Sequence, residues 1–206
     1  MLENNAVAGS THYGYWYRLL DEPVGLSLDT NPTYCPYKQP FGAFYNNHVH
    51  SSGRYGVWIY AQYAPTLSGE LNDSRPMQAI FEGLTAWRND RGIEWVMTRT
   101  VQIKNAIVFE NSNAGIVCIT AMDHQDFNPS NLRSTFYAEN GSSVIDSIII
   151  GDLGISTAPI VPVTAGLIGI ETVFGENSRE KDFVFISSYV GSWSLGAKRH
   201  VHQFSE

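Results

Sequence analysis

Several groups of side chains in this 206-residue chain have types and spacings that could do chemistry. His48-Val49-His50 and His200-Val201-His202 each set two imidazoles two residues apart. On a strand, residues i and i+2 share a face, and two imidazoles joined by a carboxylate can hold a metal ion. The residues that align with His48 and His50 in an internal repeat are Ala6 and Ala8, so the fold itself does not require the imidazoles. Asp123 and Asp126, with His124 between them, form an acidic cluster in a polar stretch. Asp90, Arg91, Glu94 and Arg99 place mixed charge within ten residues. Paired carboxylates suit acid/base work on glycosidic bonds, and calcium with a basic residue suits lyase chemistry. A solvated loop and surface ion pairs account for the same residues without catalysis. No catalytic residue, metal ligand or cofactor is therefore assigned.

A second group is aromatic. Trp16 and Trp58 occupy equivalent places in the repeat, flanked by Tyr13, Tyr15, Tyr55 and Tyr60. On an outer face they could stack on sugar rings, whereas inward or loop-covered packing would make them core. Asn72-Asp73-Ser74 and Asn140-Gly141-Ser142 fit the N-glycosylation sequon, making Asn72 and Asn140 candidate acceptors.

Composition bounds what must position these groups. Charged residues are 16% of the chain and hydrophobic residues 43%, so the chain folds around a core. A net charge of −7 argues against a nucleic-acid binder. No apolar run reaches the eighteen or so residues of a membrane span, and the first residues do not form a signal peptide. Two cysteines cannot make a disulfide-dense scaffold.

The organising feature is a repeat. Asn4 to Tyr17 aligns with Asn46 to Ile59 at an offset of 42, with seven identities in fourteen columns. They include Asn5/Asn47, Gly14/Gly56 and Trp16/Trp58. Val101 to Val108 aligns with Ser143 to Ile150 at the same offset, and Leu84 to Ile93 resembles Ile107 to Ile116 at 22 or 23. Forty-two is thus two coils of about 21 or one coil with a long excursion. Each unit is a β-branched or aromatic strand, an Asn-rich corner, then Gly before an apolar residue, as at Gly92 and Gly115. Asn and Gly are expected at the corners because they accept positive φ. A parallel β-solenoid follows, all-β and specifically a right-handed parallel β-helix, with units at 4–17, 46–59, 84–96, 101–118 and 143–153. A β-sandwich is the alternative, with denser turn signals and hairpin dipeptides. Residues 20–40, 61–76 and 124–133 read as flanking loops, and the whole chain reads as one domain.

The words Asn4 to Trp16, Tyr34-Cys35-Pro36-Tyr37-Lys38, Phe41 to Asn47, Gly56-Val57-Trp58-Ile59 and Tyr63-Ala64-Pro65-Thr66 resemble the fibrocystin-L family. Its relatives include a cell-migration-inducing hyaluronan-binding protein and that protein's transmembrane homologue. The resemblance continues through Trp87, Gly92 to Trp95 and Ala114-Gly115-Ile116. It implies an extracellular or cell-surface parent built from parallel β-helix repeats, of which this chain is expected to be a fragment. It also implies that hyaluronan degradation in relatives belongs to a neighbouring module that finds no match here. Relatives tend to carry a cysteine shortly after the glycine of Ser68-Gly69-Glu70-Leu71, so the resemblance implies that Cys35 lacks that partner. The expected function is a non-catalytic structural or interaction segment contacting glycans or matrix and cell-surface proteins. The alternative is a glycan-active enzyme, hyaluronidase-like or pectate-lyase-like, working in a groove beside the sheet.

Overall fold

The computed structural model describes residues 1–121, 142–150, 168–172, 183–186 and 189–191. It is a parallel β-helix. Each full coil contributes three strands, one to each of three sheets. The first coil is β1 (Leu2–Glu3), β2 (Ala6–Ala8) and β3 (Tyr13–Leu19). The second is β4 (Phe44–Tyr45), β5 (His48–His50) and β6 (Tyr55–Tyr63). β7 (Ala79–Glu82), β8 (Thr85–Trp87) and β9 (Arg91–Thr98) make the third, and β10 (Val101–Lys104), β11 (Ile107–Phe109) and β12 (Ala114–Ala121) the fourth. β13 (Ser142–Ile145), β14 (Ile148–Ile150) and β15 (Ile168–Thr172) form the fifth, followed by β16 (Phe183–Ile186) and β17 (Tyr189–Gly191). The sheets run β1-β4-β7-β10-β13-β16, β2-β5-β8-β11-β14-β17 and β3-β6-β9-β12-β15. We call them the first, second and third sheets. Every pairing between these strands is parallel, for instance Val7 with Val49 and Trp16 with Trp58.

The registers settle the two readings of the 42-residue spacing. Asn5 lies beside Asn47, 42 residues on, and Asn89 beside Asn111, 22 residues on. A bare coil is therefore 22 residues in the first and second sheets and 23 in the third. The spacing of 42 is one coil carrying an excursion. One expected alignment shifts: β10 meets β13 with Gln102 opposite Ser143, so Val101 is not Ser143's partner. A one-residue slip swaps the faces of a strand. The observed register sets buried Ile103 beside buried Val144 and polar Gln102 beside Ser143, whereas the expected alignment would set Val144 beside Gln102; only in the next strands, where Ile107 and Ile148 are apolar and exposed, is that contrast missing.

Two kinds of corner close the coil, and asparagine and glycine divide the work differently from the expectation. Positive φ falls on Asn4, Asn46, Gly83, Asn105 and Asp146 between the first and second sheets. It falls on Gly9, Ser51, Arg88 and Glu110 between the second and third. Gly56 and Gly92 are needed for close approach instead. A Cβ on Gly56 would stand 2.5 Å from the Gly92 carbonyl oxygen, and one on Gly92 would meet the Gly115 carbonyl oxygen at 2.5 Å. Gly14 sits directly above Gly56, against Val49 and the Gly56 carbonyl.

From the second coil onward, the side chain after each left-handed corner residue turns inward. Asn47, Leu84, Ala106 and Ser147 fill the first corner and Ser52, Asn89 and Asn111 the second, all buried. The polar ones stack as a ladder. The Ser52 amide donates to Asn89 Oδ1 at 3.0 Å and the Asn89 amide to Asn111 Oδ1 at 3.0 Å. Asn111 Nδ2 donates to the carbonyls of Ala86 and Phe109. Buried backbone groups that the turn leaves unpaired are satisfied in this way.

The core between the sheets is Val49, Val57, Phe81, Ile93, Ile103 and Val108 with Trp95. At its N-terminal end it is aromatic: Phe81 packs against Phe41, Phe44 and Tyr17 with ring centroids 4.5, 4.9 and 5.5 Å apart. Burial pushes the Tyr17 and Tyr63 phenols well above their ordinary value, and Tyr63 donates to the Gln39 carbonyl at 3.0 Å. A phenol harder to ionise folded than unfolded stabilises the fold fully below the unfolded pKa of about 10 and progressively loses that contribution above it. With two such groups the fall steepens toward a limit of about 2.7 kcal/mol per pH unit as the pH rises well above 10. Denaturant titrations between pH 9 and 11 should show this fall. In Tyr17→Phe the fall should be shallower.

Candidate glycan-contact face

The outer side of the third sheet gathers the chemistry. Along β3, Tyr15 and Tyr17 turn toward the core, and Trp16 and Arg18 turn out. Register sets Trp58 beside Trp16 and Tyr60 beside Arg18. Trp58 is the hub of the row. Its ring lies 4.8 Å from Tyr13, 5.0 Å from Tyr55, 4.6 Å from Tyr60 and 6.0 Å from Trp16, all at small interplanar angles. The rings cover one another's faces, so the surfaces offered to solvent are at the margins. Trp16 is 49% exposed and Tyr60 40%. Of the six aromatics singled out in the sequence, five stand outward; Tyr15 is core, its hydroxyl donating to the Asn5 carbonyl at 3.2 Å.

The next coil supplies charge. Glu94 follows Trp58 in the outward column and is buried although it points away from the core. Its Oε1 accepts from Trp58 Nε1 at 2.9 Å, and its Oε2 pairs with the Arg91 guanidinium. Burial opposes the Arg91 charge, but the Glu94 hydrogen bond and charge more than offset it, so the arginine's pKa rises. Arg91 also sits 5.8 Å over the Tyr55 ring. Burial, then the Glu94 charge, raises the Tyr55 phenol. Both carboxylate oxygens of Glu94 are thus committed to holding Trp58 and Arg91 in place.

Other candidate residues separate from this face. Asp90 accepts from the Ser112 hydroxyl at 3.3 Å, and Arg99 sits at the end of β9, its amide on the Tyr63 carbonyl. His48 and His50 stand on the outer face of the second sheet. His50 stacks on Trp87 at 4.4 Å, Trp87 on Phe109 at 5.9 Å, and His50 Nδ1 meets Ser51 Oγ. Among the described residues no three His, Cys, Asp or Glu side chains gather as a metal site. Asn5 and Asn47 are corner residues, joined through Asn47 Oδ1. Asn72 is exposed in a turn, beside an Asp73 carboxylate held by Ser68 and Arg75, whose hydrogen bonds, Arg75's foremost, keep it well below the usual carboxylate range. Cys35 is a buried free thiol. Asp123, His124, Asp126, Asn140, His200 and His202 lie outside the described residues.

Arg18 and the cleft beside it were not anticipated, although strict alternation from Trp16 puts Arg18 on the same face. The first excursion arches here, carrying α1 (Leu26–Thr30) and a 3-10 turn, Pro36–Lys38. A cleft of about 460 Å³ opens between it and Arg18.

Removing the Glu94 carboxylate tests the buried pair. Breaking such a pair costs roughly 3–5 kcal/mol when both ions are fully buried. With Arg91 partly solvated, Glu94→Ala should cost about 2 kcal/mol in urea unfolding. Glu94→Gln, which keeps an acceptor for Trp58, should recover part of the loss.

Comparison with known proteins agrees with this architecture. The family model described as CEMIP beta-helix matches residues 1–57. Fibrocystin-L of Mus musculus is 43% identical over 115 residues, which is 56% of this chain and 3% of that protein. Cell surface hyaluronidase CEMIP2 of Homo sapiens is 28% identical over 174 residues, 73% of this chain and 12% of that protein. The human cell migration-inducing and hyaluronan-binding protein is 36% identical over 80 residues, 38% of this chain and 6% of its own length. The chain therefore spans a small part of the relatives it matches. Over the coils that carry the repeat it is similar to fibrocystin-L, as the words between Asn4 and Ile116 imply.

Proposed function

We propose that this chain is a non-catalytic interaction segment of a cell-surface or secreted β-helix protein, and that it contacts glycans on the outer face of the third sheet. The supporting observation is the aromatic row centred on Trp58, with Trp16 and Tyr60 exposed at its margins and Arg18 beside them. Sugar rings present C–H faces that pack on indole and phenol, while a guanidinium donates to hydroxyl or carboxylate oxygens. The rigid β-helix holds these groups at fixed spacing without a ligand, so little ordering opposes contact. Two relatives carry hyaluronidase or hyaluronan-binding in their names, which makes glycans the first ligands to try.

The hydrolytic form of the enzymatic reading needs a carboxylate free to move protons. Glu94, beside the aromatic row, has both oxygens engaged, which favours a contact surface over a catalytic groove. Calorimetry with hyaluronan and pectin oligosaccharides should give saturable binding that Trp16→Ala and Tyr60→Ala each weaken by about fivefold to tenfold. Depolymerisation of either polymer, with or without calcium, that disappears in Asp123→Asn or Asp126→Asn would overturn the non-catalytic reading. Unchanged binding in both aromatic variants would remove the face from consideration.

In a secretory setting the exposed Asn72 is a glycan acceptor in this reading, as is Asn140 on its sequon alone. Expression through a glycosylating secretory pathway should yield a heavier form, and Asn72→Gln should lose one glycan's mass.

A further inference from the structure

We infer that the outer face of the second sheet is a weak dimer interface, its occupant a second copy of this chain related by a two-fold axis. It shares no residue with the proposed glycan face and does not rest on that reading.

The strands β2, β5, β8, β11 and β14 each turn their middle residue toward the core and their two end residues outward. None of these outward residues, from Ala6 and Ala8 on β2 to Ile148 and Ile150 on β14, is Asp, Glu, Lys or Arg. The strip is small or polar over its first strands and bulky over its last, where Ile107 is 45% and Ile148 44% exposed. Loss of charge beside large apolar side chains is the mark of an interface core. The rings of His50, Trp87 and Phe109 cover one another's faces, so the strip gives a sugar ring little to stack on.

The margins identify the occupant. At the second corner Arg88 follows Trp87 and Glu110 follows Phe109, with Arg88 Nε 3.4 Å from Glu110 Oε2. At the first corner Glu82 ends β7 and Lys104 ends β10, with Lys104 Nζ 4.0 Å from Glu82 Oε1. Each margin thus carries opposite charges on adjacent coils. A two-fold axis along the strands, midway between β8 and β11, exchanges those coils. It sets Arg88 of one copy opposite Glu110 of the other, and Glu82 opposite Lys104, and repeats each pairing because the interface is isologous. The same operation lays Trp87 against Phe109, Thr85 against Ile107, and the histidines of β5 against the isoleucines of β14, so that small or polar side chains meet bulky ones. Asp146, at the corner before β14, is brought to Asn46, so its carboxylate meets an amide.

The net charge of −7 opposes the approach of two copies at long range, and the strip is narrow. Its strand spacings and two side-chain columns give roughly 350 Å² per copy, about half of what a stable complex buries on each side. Association is therefore weak, with a dissociation constant on the order of 100 µM.

Sedimentation equilibrium of the whole 206-residue chain between about 10 µM and about 1 mM should show a monomer passing to a dimer. Ile107→Asp combined with Ile148→Asp should weaken association by at least about tenfold. Trp16→Ala, on the glycan face, should leave it unchanged. The decisive arm mixes two variants. Arg88→Glu leaves only carboxylates in the second-corner pair and Glu110→Arg only guanidiniums, so each alone should associate at least about tenfold more weakly than the unaltered chain. An equimolar mixture of the two should form a heterodimer, a recovery that a folding defect cannot produce. The proposal is overturned if the unaltered chain remains monomeric at about 1 mM, if the folded isoleucine double variant dimerises normally, or if mixing the two folded charge variants restores nothing. Assembly beyond a dimer, or dissociation of the dimer by hyaluronan oligosaccharides, overturns it as well.

Discussion

The whole structure depends on how the coil turns its corners while every buried backbone group keeps a partner. A parallel sheet cannot turn by hairpins, so the strands of the first and second sheets must bend into the next sheet within two to four residues. At the bends the backbone enters the left-handed region, chiefly through Asn at the first corner and a mixture of residues at the second. The side chain that follows turns inward and hands hydrogen bonds to the coil above and below, as Asn89 does between Ser52 and Asn111. An amide side chain suits this position because it both donates and accepts and can repeat at the strand spacing. Stacking itself then buries Val49, Val57, Ile93 and Val108 in a continuous column.

That constraint explains what could be read from residues alone. The Asn-rich words at Asn4 and Asn46 and the glycines at 14 and 56 recur because the bend demands them, so the coil is visible without coordinates. The reason for the glycines was less visible. Positive φ and lack of space for a Cβ both select glycine, and only geometry separates Gly83, which has φ 67°, from Gly92, which lies against the Gly115 carbonyl. Coil length was ambiguous because the first excursion is nearly as long as a coil. The register of β10 on β13 is legible in their alternation, which pairs Ile103 with Val144, but is hidden in β11 and β14, where outer and inner faces are both apolar.

The proposed glycan-contact face was partly legible. Trp16 and Trp58 repeat, and their shared position on one strand face follows from the 42-residue offset. That Tyr15 is core while Tyr13 joins the outer cluster could not be inferred, since both belong to the same Tyr-rich strand. Nor does sequence spacing reveal that Glu94, a coil away, anchors the Trp58 indole. Such contacts run across coils, between residues 36 apart in sequence and adjacent in register.

The passage from the third sheet back to the first behaves unlike the other two bends. Between β9 and β10 it takes only Arg99 and Thr100, whereas the same passage after β3 accommodates α1, the 3-10 turn and the polypeptide that clasps the next excursion. The strands on either side keep parallel pairing regardless. Lengthening a closed loop costs entropy only logarithmically. This seam can therefore gain or lose whole segments while the spine stays in step, so related chains are free to diversify along one flank without rebuilding the scaffold.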